Sequence, residues 1–328
     1  MMAAARIDQD PGFVHVPVML PEVLAAVRPL ARGVFVDATA GGAGHSKAIL
    51  EALPEMRLFA FDRDPVAVTA ATSALAPFGE RATVTHASFD EIEPALAELG
   101  VTQVDGVLAD LGVSSEQLTD ASRGMSFRGA GPLDMRMDTT RGETARELIE
   151  RVSQDELADI IYELADERAS RRIARCIKQA LAADRLNDTL DLRRAVVRAV
   201  GPKRFGSIDP ATRTFQALRM AVNDEVGQLR TLLGFAKRAL RPGGVLTIIS
   251  FHSLEDRAVK REFQQRDEWQ PLTKKPLMPS DEEVHENPSA RSAKLRSARR
   301  LVEGEGGDDG REPGDEEGDG DFGPVDPR

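Results

Sequence analysis

Short apolar runs that end in an acid recur along the first third of the chain. Val34-Phe35-Val36 runs into Asp37, Arg57 to Phe61 into Asp62, and Val104 to Ala109 into Asp110. Such runs, rich in branched and aromatic side chains, predict buried strands. Ala82 to His86 alternates apolar and polar positions and predicts another. Between them, Ser46 to Leu53 and Pro65 to about Leu75 read as helices, the second opened by Pro at its first position. Pro21 to Val27 starts an earlier helix in the same way, after an extended stretch from His15 to Leu20. Strands alternating with helices predict an α/β fold whose mostly parallel sheet is covered on both faces.

After Asp110 the rhythm breaks. Leu111 to Gln117 leaves the sheet, and Arg123 to Asp138 is glycine-rich and irregular. From Thr144 to Val200 the pattern is helical, with a capping box at Ser153 and Glu156 and a stop at Gly201-Pro202. Pro210 to Leu240 reads as one long helix or two, closed by Arg241-Pro242-Gly243-Gly244. Val245 to Ser250 predicts strand five, buried on both faces. Ser253 is expected to cap the helix that follows. Trp269 to Leu277 and Ser292 to Leu301 are candidates for the last strands. The expected domains are a loose terminus at 1–13, a sheet domain from 14–118 and 211–302, an inserted helical substrate domain at 119–210, and a disordered acidic tail at 303–328.

Composition narrows the class. The 328 residues are 41% hydrophobic and 30% charged, which suits a soluble globular protein. No apolar run approaches the roughly 18 residues a membrane helix needs. Met1 to Gly12 has no apolar signal core, so the expected compartment is the cytoplasm, with no membrane partner. The single Cys176 excludes a disulfide framework. The five histidines lie far apart in sequence, and no metal site is expected. The net charge of −11 would argue against nucleic acid, but the tail 303–328 alone holds 11 acids and 2 bases. The remainder is nearly neutral and can carry local basic faces. One candidate is Arg168, Arg171, Arg172, Arg175 and Lys178 on one side of a helix, with Ile173, Cys176, Ile177 and Leu181 on the other. It is either a phosphate-gripping stripe or a solvated face.

The chemistry is expected at Val34 to His45, V-F-V-D-A-T-A-G-G-A-G-H. A strand, a loop with Gly41, Gly42 and Gly44, and a helix start form the layout of a nucleotide site. Asp62, 18 residues past Gly44, is placed to hold the hydroxyls of an adenosine ribose. The dinucleotide spacing fails, because Lys47 stands where a third glycine is required. A loop with few phosphate-cradling positions fits S-adenosylmethionine, an adenosine without phosphates.

Separated motifs then coincide. D-A-T-A-G-G-A-G-H (Asp37 to His45), D-L-G-V-S-S (Asp110 to Ser115), G-P-L-D-M-R-M-D (Gly131 to Asp138), T-R-T-F-Q-A-L-R (Thr212 to Arg219) and S-F-H-S-L-E-D-R (Ser250 to Arg257) follow in that order. Together they closely resemble the RsmH (MraW) family of bacterial cytosine-N4 methyltransferases of small-subunit ribosomal RNA. The likeness spans about residues 14 to 300. It implies a Rossmann-like class I methyltransferase sheet with a helical insertion between strands four and five. It also implies S-adenosylmethionine as donor and, as target, a cytidine in the decoding centre of 16S rRNA in the small subunit. By position it implies cofactor contacts at Ala43, Gly44, His45, Asp62, Phe89, Asp110 and Gln117. Ala43 takes a position often filled by glycine, so a slightly tighter loop is expected.

Methyl transfer to cytosine N4 needs the amine held in line and its lone pair localised on nitrogen. Asp110, at the carboxyl end of a central strand, is the candidate acceptor for the amine proton; the alternative is that it only holds the cofactor's amino group. His252, directly after strand five, is a second catalytic candidate that contacts RNA or relays a proton, or else a structural residue. Arg136, Arg213 and Arg219 either line the cleft or pair with Asp134, Asp138 or Glu225. Two rivals stand beside this reading: a nicotinamide-dependent oxidoreductase, which the missing glycine opposes, and an RNA-binding assembly factor without turnover.

Overall fold

Among the described residues, seven strands build one sheet: β1 Arg32–Asp37, β2 Glu55–Asp62, β3 Ala82–His86, β4 Val104–Asp110, β5 Leu240–Ser250, β6 Trp269–Pro271 and β7 Lys294–Arg300. The computed structural model describes residues 17–202 and 208–301. The sequence expectations for His15, the terminus 1–13 and the tail 303–328 lie outside the described residues. The strand order is β3-β2-β1-β4-β5-β7-β6. All pairs are parallel except those that β7 makes with β5 and β6. The order reverses between β1 and β4, and the crevice outside the carboxyl ends of these strands is where such sheets bind ligands.

Helices cover both faces. α1 Leu20–Val27, α2 Gly44–Ala52 and α3 Pro65–Leu75 lie on one; α4 Ile92–Glu98 follows β3 on the other. Side chains alternate between the layers as pleating requires. Phe35, Leu58, Ala60 and Leu108 join one buried cluster with Ile49 and Leu50 of α2. Val36, Phe59, Phe61 and Val107 join the other. Phe35 and Phe61 are fully buried, and truncating either to Ala should cost about 3–5 kcal/mol. Local chemistry starts the helices. Asp64 accepts from the Val66 amide at 3.0 Å and Pro65 follows it, which sets the first turn of α3.

Between β4 and β5 stand α5 Ser115–Thr119, α6 Ala145–Arg151, α7 Gln154–Ala165, α8 Ser170–Ala182, α9 Thr189–Val200, α10 Thr212–Val222 and α11 Glu225–Ala239. The Ser153–Glu156 capping box opens α7, and α9 ends at Gly201, whose φ of 90° leaves the helix. Leu148, Ile161, Ile173, Ile177 and Val196 form a buried cluster separate from the sheet, which Phe215 and Leu218 of α10 also enter. α11 returns to the sheet and packs Leu229, Leu232 and Phe235 against it. The stretch from Pro210 is therefore two helices, broken at Asn223-Asp224.

Two local expectations are corrected. β5 begins at Leu240, which pairs with Val104, and Arg241-Pro242-Gly243-Gly244 forms an irregularity inside the strand, with Gly243 at φ 83°, before pairing resumes at Val245. After it comes α12 Ser253–Phe263, capped by His252, not by Ser253. A further helix, α13 Asp281–Glu286, lies between β6 and β7.

Candidate active site

Three acids close the central strands, and the structure gathers their carboxyls at one end of the sheet: Asp37 from β1, Asp62 from β2 and Asp110 from β4. The loop after β1 is tied to them. Thr39 donates its amide to Asp37 (3.1 Å), its hydroxyl accepts from the Asp110 amide (2.7 Å), and the Gly41 amide donates to Asp62 (2.8 Å). Ser46, in the first turn of α2, donates to Asp37 at 2.6 Å.

Burial raises all three carboxyls. Asp37 is pushed up to about 6 despite the Ser46 hydroxyl and Thr39 amide that favour its charge. Asp62 is raised by burial against the amides of Asp64 and Gly41. Asp110 is raised well above the usual range, first by burial and then by the charges of Asp37 and Glu255. Asp110 Oδ1 is buried and has no hydrogen-bond partner among the described residues. Buried polar atoms are rarely left so, and an orphaned oxygen at the mouth of a sheet marks a place for a ligand donor. A ligand with cationic groups fits this mouth, since positive charge stabilises the ionised form of all three acids.

The loop shows why glycine is favoured at position 43. Ala43 has φ 62°, the left-handed region, which costs an L-residue about 1–2 kcal/mol. Gly44 follows with its Cα against the ring of Pro17, where a Cβ would meet carbons at 3.1–3.2 Å. His45 is buried; its Nε2 donates to the Val18 carbonyl at 2.9 Å, and its Nδ1 lies 3.9 Å from Asp110 Oδ2. Loop, α2 and Asp110 are thus one locally connected unit.

Phe89 sits just past β3, half-buried against the sheet, with its amide donating to Gln228 at 3.0 Å. Its neighbours Ser88 and Asp90 line a cavity of about 240 Å³ whose other side includes Arg136, Asp138 and Arg141 of the irregular segment. Gln117, in α5, donates its side-chain amide to Asp64 at 2.7 Å, two residues past Asp62. The sequence reading missed Asp64 and its second partner, the buried Arg123, and no local signal marks that pair. It named Asp37 only as the end of a strand; the Ser46 spacing on the following helix was the available clue.

His252 is held by its own helix. The Glu255 amide donates to His252 Nδ1 at 3.4 Å, and Glu255 accepts from the amides of Phe251 and His252. His252 Nε2 lies 3.0 Å from Glu255 Oε1 but out of hydrogen-bond alignment, and it is buried. His252, far in sequence from the other histidines, thus has Glu255 three residues on and Glu225 beside it in space, with donor atoms within 4.8 Å of one another. Arg219 takes both oxygens of Glu225 at 2.7 and 2.8 Å, which puts a fixed positive charge where a cation would compete. Of the other arginines, Arg136 grips Asp134 at 2.8 and 2.7 Å, and Arg213 donates to the Asp166 carbonyl at 3.2 Å.

On α8, Arg171 pairs with Asp155 and Asp159, and Lys178 binds the carbonyls of Ile149 and Val152. Arg168, Arg172 and Arg175 are exposed and make no ion pair among the described residues. No helix among the described residues is long and apolar enough to cross a membrane.

The model of the MraW methylase family matches residues 12–301. A ribosomal RNA small subunit methyltransferase H of Sorangium cellulosum is 61% identical over 290 residues, covering 88% of this chain and 92% of the relative. One of Cyanothece sp. is 49% identical over 294 residues, covering 90% and 97%. Among solved structures, a rRNA methylase from Streptococcus thermophilus matches with TM-score 0.36 and 9% identity over 83% of this chain and 92% of that one. A SAM-dependent O-methyltransferase from Thermotoga maritima matches with TM-score 0.40 and 9% identity over 88% and 67%.

Proposed function

The chain belongs to the MraW methylase family, and from that premise we propose that it methylates the exocyclic N4 of a cytidine in the decoding region of 16S rRNA. S-adenosylmethionine is the donor, and the substrate is RNA of the small ribosomal subunit. Relatives named ribosomal RNA small subunit methyltransferase H cover nearly the whole chain and support the substrate class. The observation that carries the reading is the orphaned, buried carboxyl oxygen of Asp110 beside a glycine loop and two further acids.

When bound, the cofactor supplies one activated methyl carbon. Ala43, Gly44 and His45 would hold it through the loop, Asp62 would take the ribose hydroxyls, and Phe89 would meet the adenine. Gln117 borders the same site from α5. Asp110 would accept a hydrogen bond from the N4 amine, which localises the lone pair on nitrogen, and would take the proton released when N4 gains the methyl group and the sulfonium, its S–C bond broken, leaves as a neutral thioether. Burial helps, because a carboxyl with a raised pKa is a stronger base once ionised. His252 borders the acceptor and contacts the RNA or passes that proton on. The base must leave its stack to reach these strand ends, so the helical residues 119–210 serve to recognise the substrate, with α8 offering arginines to phosphate.

The test is transfer of tritium from labelled S-adenosylmethionine to small subunits, followed by mass mapping of the modified nucleotide. Label on a cytidine amine of 16S rRNA is the expected result. Subunit binding without transfer would point instead to an assembly factor, and label on another atom would overturn the N4 assignment.

A further inference from the structure

Among the described residues, five helical starts close a capping box in which the third residue folds back onto the cap: Ser88–Glu91, Ser114–Gln117, Thr144–Glu147, Ser153–Glu156 and His252–Glu255. α13 has the sequence for a sixth, Ser280-Asp281-Glu282-Glu283, and Ser280 does accept from the Glu283 amide at 3.1 Å. The Glu283 carboxylate goes elsewhere. Its Oε1 accepts from the backbone amide of Met19, 264 residues away, at 2.6 Å.

Met19 is a strained corner. It is a fully buried non-glycine residue with φ 52°, at the cap of α1. A buried amide without an acceptor is unfavourable, so the charged partner holds this corner in place. The two residues before Met19 lie on the cofactor loop. The Val18 carbonyl accepts from His45 Nε2 at 2.9 Å, and the Pro17 ring packs on Gly44.

We propose that Glu283 is a positioning residue for S-adenosylmethionine, acting through Met19, Val18 and Pro17 to clamp the Ala43–His45 loop in its binding shape. This rests on the cofactor site proposed above. The clamp keeps the left-handed turn at Ala43 preformed, so the ligand does not have to order it. Because the Glu283 carboxylate is engaged by the Met19 amide, it acts on cofactor affinity and leaves the chemical step alone.

The experiment titrates full-length protein and its variants with S-adenosylhomocysteine by calorimetry and measures methyl transfer with S-adenosylmethionine varied. Glu283→Ala should weaken binding roughly tenfold, the worth of a lost hydrogen bond to a charged group, and raise the KM for S-adenosylmethionine in parallel. The kcat at saturating donor and the KM for small subunits should stay at wild-type values. Glu283→Gln keeps an acceptor oxygen and should bind within about threefold of wild type. A purely structural role would lower the melting temperature of both variants without splitting KM from kcat. Hydrogen exchange on the wild-type protein covers the case in which Glu283→Ala does not fold. Adding S-adenosylhomocysteine should slow exchange at residues 17–20 and 281–286 together with the loop at 40–46. Protection of the loop with no change at 281–286 overturns the clamp. If the wild-type protein takes up no ligand at all, the cofactor site itself is wrong, a different outcome from wild-type binding that Glu283→Ala leaves unaltered.

Discussion

Arg123 donates to Asp64 across 2.8 Å with both side chains buried. Arg123 also donates to the carbonyls of Arg136 and Met137, so one guanidinium ties the end of β2 to the irregular segment after α5. Asp64 holds Gln117 as well. Removing one partner of a buried pair leaves a charge without compensation, which costs about 3–5 kcal/mol. Arg123→Met should lose that much in urea unfolding, and Asp64→Asn added to it should cost much less than it does alone. Strict additivity of the two would show that the pair is not coupled.

Asp37 should make stability fall as pH rises. Its carboxyl is raised from 3.8 to about 6, so the folded state binds a proton more tightly than the unfolded one. The stability this gives is complete below the unfolded value and is lost as pH climbs through about 6. Two units correspond to roughly 3 kcal/mol. Asp37→Asn keeps an oxygen for the Thr39 amide but has no proton to lose. Unfolding at pH 4, 6 and 8 should show the variant gaining on the wild-type protein by about that amount. Parallel pH profiles for the two proteins would remove Asp37 from the account.

The acids at the strand ends were legible because a buried run that stops at a carboxylate is a local pattern. β3 and β4 lie where alternation and composition put them, and α3 starts and stops as Pro65 and Leu75 suggested. The misreadings have local causes too. Serine is the usual cap, so Ser253 was expected, yet the His252 ring nitrogen accepts the amide instead. Pro242-Gly243-Gly244 reads as a turn, yet Leu240 already pairs with Val104 and the sheet absorbs the mismatch as an irregularity in register. What stayed invisible was contact between distant residues. Neither Asp64–Arg123, 59 positions apart, nor Met19–Glu283 leaves any periodicity to read. The basic stripe was half legible: spacing placed five cations on one helical face, but Arg168 falls in the turn before α8, and two of the four on the helix hold the helical part together.

That division makes the RNA prediction specific. Arg168, Arg172 and Arg175 are exposed without ion pairs among the described residues, whereas Arg171 is held by two aspartates. Reversing the first three to Glu should weaken binding to small-subunit RNA and flatten the slope of log K against log salt by roughly 2, at about 0.7–0.9 per phosphate contact. Arg171→Glu alone should act mainly on stability, through repulsion with Asp155 and Asp159. An unchanged salt slope in the triple variant would return α8 to the role of a solvated face.

The sharpest prediction concerns Asp110. A base must be ionised to take the N4 proton, and burial together with Asp37 and Glu255 holds this carboxyl well above the usual range. The cofactor's positive charge favours the ionised form, so the carboxyl should ionise more readily with donor bound than without it. The kcat profile of the wild-type protein should therefore rise with pH along a limb that lies above the ordinary carboxylate range. Asp110→Asn keeps the shape, cannot take a proton, and should lower kcat by about 10²–10⁴ while erasing that limb. The comparison also separates two roles for the residue. If the variant binds S-adenosylhomocysteine poorly but turns over normally at saturating donor, Asp110 only holds the cofactor. If it binds normally and fails in turnover, the oxygen left without a partner at the end of β4 is the group that meets the amine.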